Sequence, residues 1–195
     1  MLSDSIGKYA QINAHTEVKA FRGDTVRRLT DRIAFSQVSV RGYSRILIHV
    51  GSNDISNLIE KQELRSVTIF NIMERFRALR NTIRRQNSGA LLLFSSILPR
   101  KDNYTLYRPF IHGLNFALEK FCAKSRGCNI FVPSYRQFLE YGRPIPGLFS
   151  DKDGLHLDGS GVVVLDGCFQ QALSTGYLMT RVKCKRNEKL ANLPY

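Results

Sequence analysis

The sequence lacks any apolar run that approaches the roughly 20 residues needed to span a membrane. Its longest largely apolar runs, 46–50 and 90–94, have the length of a strand. Residues 1–15 carry charged side chains among small residues and lack the apolar segment of a secretory signal. We therefore expect an intracellular protein, cytoplasmic or nuclear, with no transmembrane helix.

Sequence patterns for a metal or a phosphate group are also lacking. The four cysteines, at 122, 128, 168 and 184, form no CxxC pair and have no histidine at metal-ligand spacing. This favours reduced thiols and no metal site. The turn 22–25 lacks the glycines and lysine of a phosphate-binding loop, and the chain has no GxSxG elbow. We expect no cofactor.

Acidic residues are scarce, since 16 Asp and Glu accompany 29 Lys and Arg, for a net charge of +13. This excess favours an anionic partner, either nucleic acid or an acidic membrane surface. The basic clusters have an ordinary interpretation as well, because cations suit a helix C-terminus and basic tails are usually solvated. The cluster on a predicted helix is Arg75, Arg77, Arg80, Arg84 and Arg85, and the weak nucleic-acid-binding candidate in the tail is Arg181, Lys183, Lys185 and Arg186.

The chain has 195 residues, of which 43% are hydrophobic, as expected for one globular domain. Strands that are apolar on both faces alternate with helical segments, which indicates a mostly parallel sheet covered on both sides. We predict a three-layer, doubly wound α/β domain over 1–178 and a basic tail over 179–195. Asp24 is the expected N-cap of the first helix. The predicted strands are 16–21, 45–50, 90–97 and 128–132, and the predicted helices are 24–32, 66–85, 107–124 and 160–173.

Sites in such sheets form at the carboxyl ends of the strands. Gly23, the segment Gly51–Asp54 and the segment Ser95–Pro99 each follow a predicted strand. We therefore expect these three segments at one edge of the sheet, together with any chemistry that they support.

The groups required for acyl transfer are present in three segments. A serine hydroxyl becomes a nucleophile when a base removes its proton. Ser5 is the candidate nucleophile and His156 the candidate base, with Asp153, three residues earlier, to orient the imidazole. The backbone N–H groups of Gly23 and Ser5 and the side-chain amide of Asn53 are the candidate donors to an oxyanion.

Each of these residues also has a structural interpretation. Ser5 alone is an ordinary N-cap or turn residue, and Asn53 suits a turn after a strand. His156 alone is an ordinary surface histidine, and Asp151 and Asp158 are rival carboxylates. The combination favours the catalytic roles. The other histidines, expected to be structural, are His15, His49 and His112.

The motifs, in their order, resemble those of the SGNH hydrolases, also called GDSL esterases. The resemblance spans roughly residues 3–175 and implies a flavodoxin-like α/β fold and serine esterase activity. It implies the family's four name-giving roles for Ser5, Gly23, Asn53 and His156, with Asp153 as the third triad member. The segments 49–54 and 146–157 are most similar to the esterase domains of LINE-type retrotransposon first-open-reading-frame proteins and their host relatives. That similarity implies a retrotransposon-derived esterase for small acyl esters or lipids that works beside an RNA-binding partner.

The sequence departs from the family pattern near its start. Ser3 stands where the family has a glycine, and only Met1 and Leu2 precede it, where the family has a longer strand near the sheet centre. We expect Ser3 to strain the nucleophile turn. We also expect a truncated first strand, which would leave backbone groups unpaired.

The leading hypothesis is a serine esterase for small, acetyl-like acyl groups, because the short loops at the strand ends provide no evident lid. The alternative is a truncated, inactive SGNH-like domain that acts as a basic module associated with nucleic acid or a membrane. A nucleotide-binding α/β domain fits the fold but not the loops. That third hypothesis predicts a melting temperature that rises with added nucleotide.

Overall fold

The computed structural model describes residues 1–12, 15–61, 65–125 and 127–174. Parallel strands form a central sheet, five helices surround it, and a small antiparallel hairpin lies before the last helix. The strands are β1 Leu2–Ser3, β2 Lys19–Ala20, β3 Arg45–His49, β4 Leu91–Ser95 and β5 Asn129–Val132, with β6 Leu139–Glu140 and β7 Arg143–Pro144 in the hairpin. The helices are α1 Val26–Ala34, α2 Ser52–Glu60, α3 Arg65–Gln86 and α4 Tyr104–Ala123, and a fifth helix, α5, is formed by residues 159–174.

The sheet has the order β2-β1-β3-β4-β5, and every neighbouring pair is parallel. Alternate side chains of β3 and β4 enter two separate cores, one on each face. Ile48 and Phe94 pack with α1 to α4, whereas Leu47 and Leu93 pack with α5 on the opposite face. Strands covered on both faces have apolar residues at successive positions. The predicted three-layer α/β fold is confirmed.

The first strand is short, yet it lies inside the sheet. Leu2 pairs with β2 and β3, and so does Ser3. The N–H of Phe21 donates to the Ser3 carbonyl at 2.9 Å, and the N–H of Asp4 donates to the His49 carbonyl at 3.2 Å. The two residues of β1 therefore have a partner strand on each side, and the expectation that a short first strand leaves its backbone groups unpaired is wrong for Leu2 and Ser3.

Two local expectations differ from the structure. The helix α2 begins two residues after β3, in a segment for which the sequence analysis predicted no helix and gave a turn only as the alternative interpretation of Asn53. The N-cap of α1 is Thr25, whose hydroxyl accepts the N–H of Arg28 at 3.3 Å. Asp24 as N-cap is therefore wrong, because its carboxylate is held by the Arg32 guanidinium at 2.7 and 3.2 Å.

Among the described residues, none of the helices is both long enough and apolar enough to cross a membrane.

Candidate active site

Ser5 is presented at the carboxyl end of β1, at the N-cap of a 3-10 turn formed by residues Ile6–Tyr9. It is partly exposed, with ordinary right-handed backbone angles of φ −64° and ψ −22°. Ser3 does not strain this turn, because it lies in β1 and not among the described residues with positive φ. Its hydroxyl accepts the N–H of Gly7 at 3.2 Å. A Cβ at Gly7 would lie 2.3 Å from that oxygen, so the close approach requires glycine.

His156 connects Ser5 to Asp153. Its Nε2 lies 3.0 Å from the Ser5 Oγ, and its Nδ1 lies 2.6 Å from the Asp153 Oδ2. The other carboxylate oxygen accepts the backbone N–H groups of Leu155 and His156 at 3.0 and 2.9 Å. Partial burial alone would raise the pKa of Asp153, but these hydrogen bonds lower it to about 2. Asp153 is therefore ionised at neutral pH and fixes the orientation of the imidazole.

The rival carboxylates have other partners. Asp151 is paired with the Lys101 ammonium. Asp158 accepts the N–H of Gly161 at 2.7 Å, near the start of α5. Asp153 is the carboxylate that contacts the ring of His156.

The two further candidate residues follow β2 and β3 at the same edge of the sheet. Gly23 has a φ of +73°, a conformation that L side chains rarely adopt. Asn53 lies in the first turn of α2, and its Nδ2 donates to the carbonyl of Asp24 at 3.0 Å. This bond uses one of the two amide hydrogens, so the second remains available for another acceptor. The geometry holds the Asn53 amide beside the Gly23 turn.

A buried ionic contact that sequence reasoning missed supports this edge. Asp54 is fully buried, and its two oxygens accept the Val26 N–H and an Arg75 guanidinium N–H, each at 2.8 Å. Burial raises the pKa of Asp54, and these two hydrogen bonds oppose the rise. The pair links α1, α2 and α3 behind the Gly23 turn. Arg75 is part of the basic cluster on α3, and that pattern favoured an exposed position for its side chain.

Asp4, the neighbour of Ser5, is a second buried carboxyl that the sequence analysis did not single out. It is 1% exposed, and its Oδ1 accepts the N–H of Ile6 at 3.0 Å. Its Oδ2 has no hydrogen-bond partner in the described part of the chain. Burial raises the pKa of Asp4 to about 7, even though the Ile6 N–H bond acts in the opposite direction.

The remaining histidines with described surroundings are structural in their contacts. His49 is buried, with its Nδ1 2.9 Å from the Ser95 Oγ, and burial lowers its pKa to about 4. His112 packs edge-on against the ring of Tyr135. Over the residues described here, no cluster of His, Cys, Asp or Glu is suited to hold a metal ion.

The basic cluster of α3 is divided by the fold. Arg75 is turned toward Asp54, and Arg84 donates to the carbonyls of Ser88, Ala90 and Cys128. The tail candidates Arg181, Lys183, Lys185 and Arg186 lie outside the described residues.

Ser5 and His156 line an open cleft at the sheet edge. Its apolar lining is supplied by Ile6, Leu157, Val162 and the exposed ring of Tyr9. The polar lining is Lys8, Arg22, Ser150, Lys152 and Asp153.

Comparison with known proteins identifies the fold. A protein from Streptococcus pneumonia, provisionally named a platelet activating factor, superposes with a TM-score of 0.72 at 19% identity, covering 88% of this chain and 81% of that one. A GDSL-like lipase from Bacteroides thetaiotaomicron VPI-5482 superposes with a TM-score of 0.65 at 16% identity, covering 89% and 86%. The fold is that of the SGNH hydrolases.

The sequence comparisons add nothing to this identification, since neither a family model nor a curated protein matches the chain. The esterase domain of the ORF1 protein from the zebrafish ZfL2-1 retrotransposon is among the matched structures, at 23% identity over 89% of this chain and 96% of that one. Its TM-score is 0.48, a superposition too loose to carry an argument about function.

Proposed function

We propose that the protein is a serine ester hydrolase that acts on small acyl groups. The observation that carries this proposal is the hydrogen-bonded chain from Ser5 through His156 to Asp153, at an open cleft of an SGNH-type fold. The nucleophile, the base and the orienting carboxylate are already within the distances that proton transfer requires.

In the first half of the reaction, the Ser5 Oγ attacks the ester carbonyl carbon while His156 Nε2 takes its proton. The carbonyl electron pair moves to oxygen and forms a tetrahedral oxyanion, and Asp153 stabilises the imidazolium. The N–H groups of Gly23 and Ser5 and the Asn53 amide are the proposed donors to that oxyanion. The imidazolium then gives its proton to the leaving alkoxide oxygen as the carbon–oxygen bond breaks.

The second half releases the acyl group from Ser5. Water attacks the acyl-enzyme carbonyl while the neutral His156 accepts a water proton. Collapse of the second oxyanion breaks the bond to the Ser5 Oγ, which recovers a proton from His156. The products are one alcohol and one carboxylic acid, and the enzyme returns to its starting state.

The aliphatic side chains of the cleft support a preference for short acyl chains. Ile6 is only 5% exposed, so most of its surface is unavailable to a substrate, Leu157 and Val162 are half-buried, and the remaining apolar surface is the exposed ring of Tyr9. A long acyl chain would leave most of its methylenes in water and gain little from binding.

The test is the hydrolysis of 4-nitrophenyl acetate and octanoate by the wild type, by Ser5→Ala and by the control Ser88→Ala. Ser88 lies between α3 and β4, at the opposite edge of the sheet. We expect Ser5→Ala to lose about 10³-fold or more of the acetate activity, with the control unchanged and the octanoate turned over more slowly. Equal rates in wild type and Ser5→Ala, with both proteins folded by circular dichroism, would contradict the proposal.

A second candidate function, the binding of nucleic acid, is favoured by a cationic seam between α3 and α4. Arg77, Arg80, Lys120 and Lys124 line this seam. The Arg80 guanidinium lies 5.1 Å from the centroid of the Phe121 ring. Cations beside aromatic rings suit a single strand, whose phosphates and bases they contact in turn.

Binding of a fluorescent single-stranded oligonucleotide by the full chain tests this second candidate. Arg80→Gln/Lys120→Gln is compared with Arg41→Gln/Arg85→Gln, which removes the same charge elsewhere. We expect only the seam variant to lose affinity and to show a shallower salt dependence. Equal losses of affinity in both variants would show that binding depends on the net charge and not on the seam. A preference for anionic vesicles that depends on the seam residues would indicate a lipid surface as the partner instead.

A further inference from the structure

Three cations surround the candidate nucleophile, and each comes from a different segment of the chain. Lys8 lies on the 3-10 turn after Ser5, Arg22 lies in the turn after β2, and Lys152 lies in the loop before His156. All three side chains are exposed, and all three line the same cleft as Ser5. The cleft that would hold a bound ester is therefore lined by three cationic residues.

These charges are not neutralised by the protein over the described residues. Lys8, Arg22 and Lys152 have no ion-pair partner there, and the Lys8 ammonium lies 5.3 Å from the centroid of the Tyr9 ring. The carboxylate that lines the cleft, Asp153, is already bonded to His156 and to two backbone N–H groups. The nearby Lys101, by contrast, is paired with Asp151.

The cleft thus combines apolar lining residues with three exposed cations. With a short acyl group on the apolar lining, the alcohol portion of the substrate extends among Lys8, Arg22 and Lys152. An anionic group on that portion gains attraction to these cations, and a cleft of one sign raises the local concentration of oppositely charged ligands.

We propose that the preferred substrates are short-chain esters whose alcohol portion carries a negative charge, as a phosphate or a carboxylate. This inference rests on the proposed esterase function and assigns specificity to Arg22 and Lys152, with Lys8 as the third cation. Because the oxyanion of any ester is also negative, the cations assist neutral esters as well. The ratio of kcat/KM for anionic and neutral esters is therefore the quantity that reports specificity.

The experiment compares phenyl acetate with 4-acetoxybenzoate and 4-acetoxyphenyl phosphate, each rate divided by its hydroxide-catalysed rate to remove differences in leaving group. The enzymes are the wild type, Arg22→Gln/Lys152→Gln, and the matched control Arg41→Gln/Arg85→Gln. Arg41 and Arg85 are exposed at the opposite end of the sheet, just before β3 and shortly before β4, so the control removes the same charge away from the cleft.

We expect the wild type to prefer both anionic esters over phenyl acetate, and the cleft variant to lower that ratio about fivefold or more. The control should retain the ratio, and 1 M salt should weaken the preference of the wild type. A higher ratio for the phosphate identifies phosphate as the natural anion, and a higher ratio for the carboxylate identifies a carboxylate.

Two results would overturn the inference: a wild type with no anionic preference, or an equal loss of the ratio in cleft and control variants. Failure of the esterase proposal itself gives a different result. In that case Ser5→Ala and the wild type would hydrolyse phenyl acetate at the same rate.

Discussion

The two halves of the sheet are built in different ways. Strands β3, β4 and β5 have five, five and four residues and pair along most of their length. Strands β1 and β2 have two residues each, yet Ser5 and Gly23 follow directly from them. The half with the least strand structure therefore holds the candidate nucleophile and two of the three candidate oxyanion donors, the N–H groups of Ser5 and Gly23.

The side chains that pack around the two halves of the sheet also differ. Around β4, the ring of Phe94 makes edge-to-face contacts with Phe76 and Phe121 at centroid distances of 6.0 and 5.6 Å. Beside β1 and β2, two carboxyls are buried: over the described residues Asp4 Oδ2 has no hydrogen-bond partner, and Asp54 is bound to Arg75. The comparison indicates that apolar packing supplies the stable scaffold, while polar contacts place the reactive groups at its edge.

The largest expected effect is a loss of catalysis at the candidate active site with little loss of stability. Asp153→Asn removes the negative charge that orients and stabilises the His156 imidazolium, so kcat for a short-chain ester should fall on the order of 10⁴-fold. The Asp153 side chain is 44% exposed, so the melting temperature should change by a few degrees at most. Steady-state kinetics and calorimetry on the same preparations measure both effects. An activity within tenfold of wild type would show that Asp153 is not the orienting carboxylate.

The second prediction concerns the half of the sheet formed by β3, β4 and β5. Phe94→Ala leaves a cavity beside the rings of Phe76 and Phe121 and should lower the free energy of unfolding by about 3–5 kcal/mol. Since Phe94 has no contact with the cleft residues, the activity per folded molecule should be unchanged. Urea denaturation measures the loss, and Phe116→Ala, whose ring is 59% exposed, is the control that should change little. Similar losses in the two variants would contradict this description of the core.

The smallest predicted effect is a change in the pH dependence of stability. Because the folded pKa of Asp4 is raised to about 7, from 3.8 when unperturbed, the folded state binds a proton over that interval that the unfolded state has released. The contribution of Asp4 to stability is therefore greatest near pH 4 and is lost as the pH rises toward 7. Asp4→Asn should gain on the order of 2 kcal/mol relative to wild type between pH 5 and pH 8.

Urea denaturation at several pH values, wild type against Asp4→Asn, measures that difference. Asp31→Asn, at an exposed position on α1, is the matched control because it makes the same chemical change outside the core. Parallel stability curves for wild type and Asp4→Asn would contradict the assignment of the raised pKa to Asp4.

The two halves also differ in how far the sequence predicts them. The runs that became β3 and β4 are apolar at successive positions, so their burial on both faces follows from the sequence. The motif residues Ser5, Asn53, Asp153 and His156 were found because their types and order suit acyl transfer. Asp153 and His156 are three residues apart, and a short loop is enough to join them.

What the sequence did not predict depends on contacts between distant residues. Asp54 and Arg75 are 21 positions apart, and no local pattern marks them as a buried pair. Asp24 has the residue type of an N-cap. However, Arg32, eight residues further along the chain, binds the Asp24 carboxylate, and Thr25 is the N-cap. The α2 helix was missed because residues 52–60 mix polar and apolar side chains directly after a strand, where a turn is also expected.

The central claim is that Ser5 is a nucleophile activated by His156, and covalent capture tests it most directly. The wild type, Ser5→Ala and His156→Ala are treated with a fluorophosphonate ester and analysed by intact mass and peptide mass spectrometry. Attack by the serine oxygen on phosphorus with loss of fluoride should add one phosphonyl group, located on Ser5. The addition should be absent in Ser5→Ala and much slower in His156→Ala. A wild type that stays unlabelled, or a label that persists in Ser5→Ala, would contradict the account.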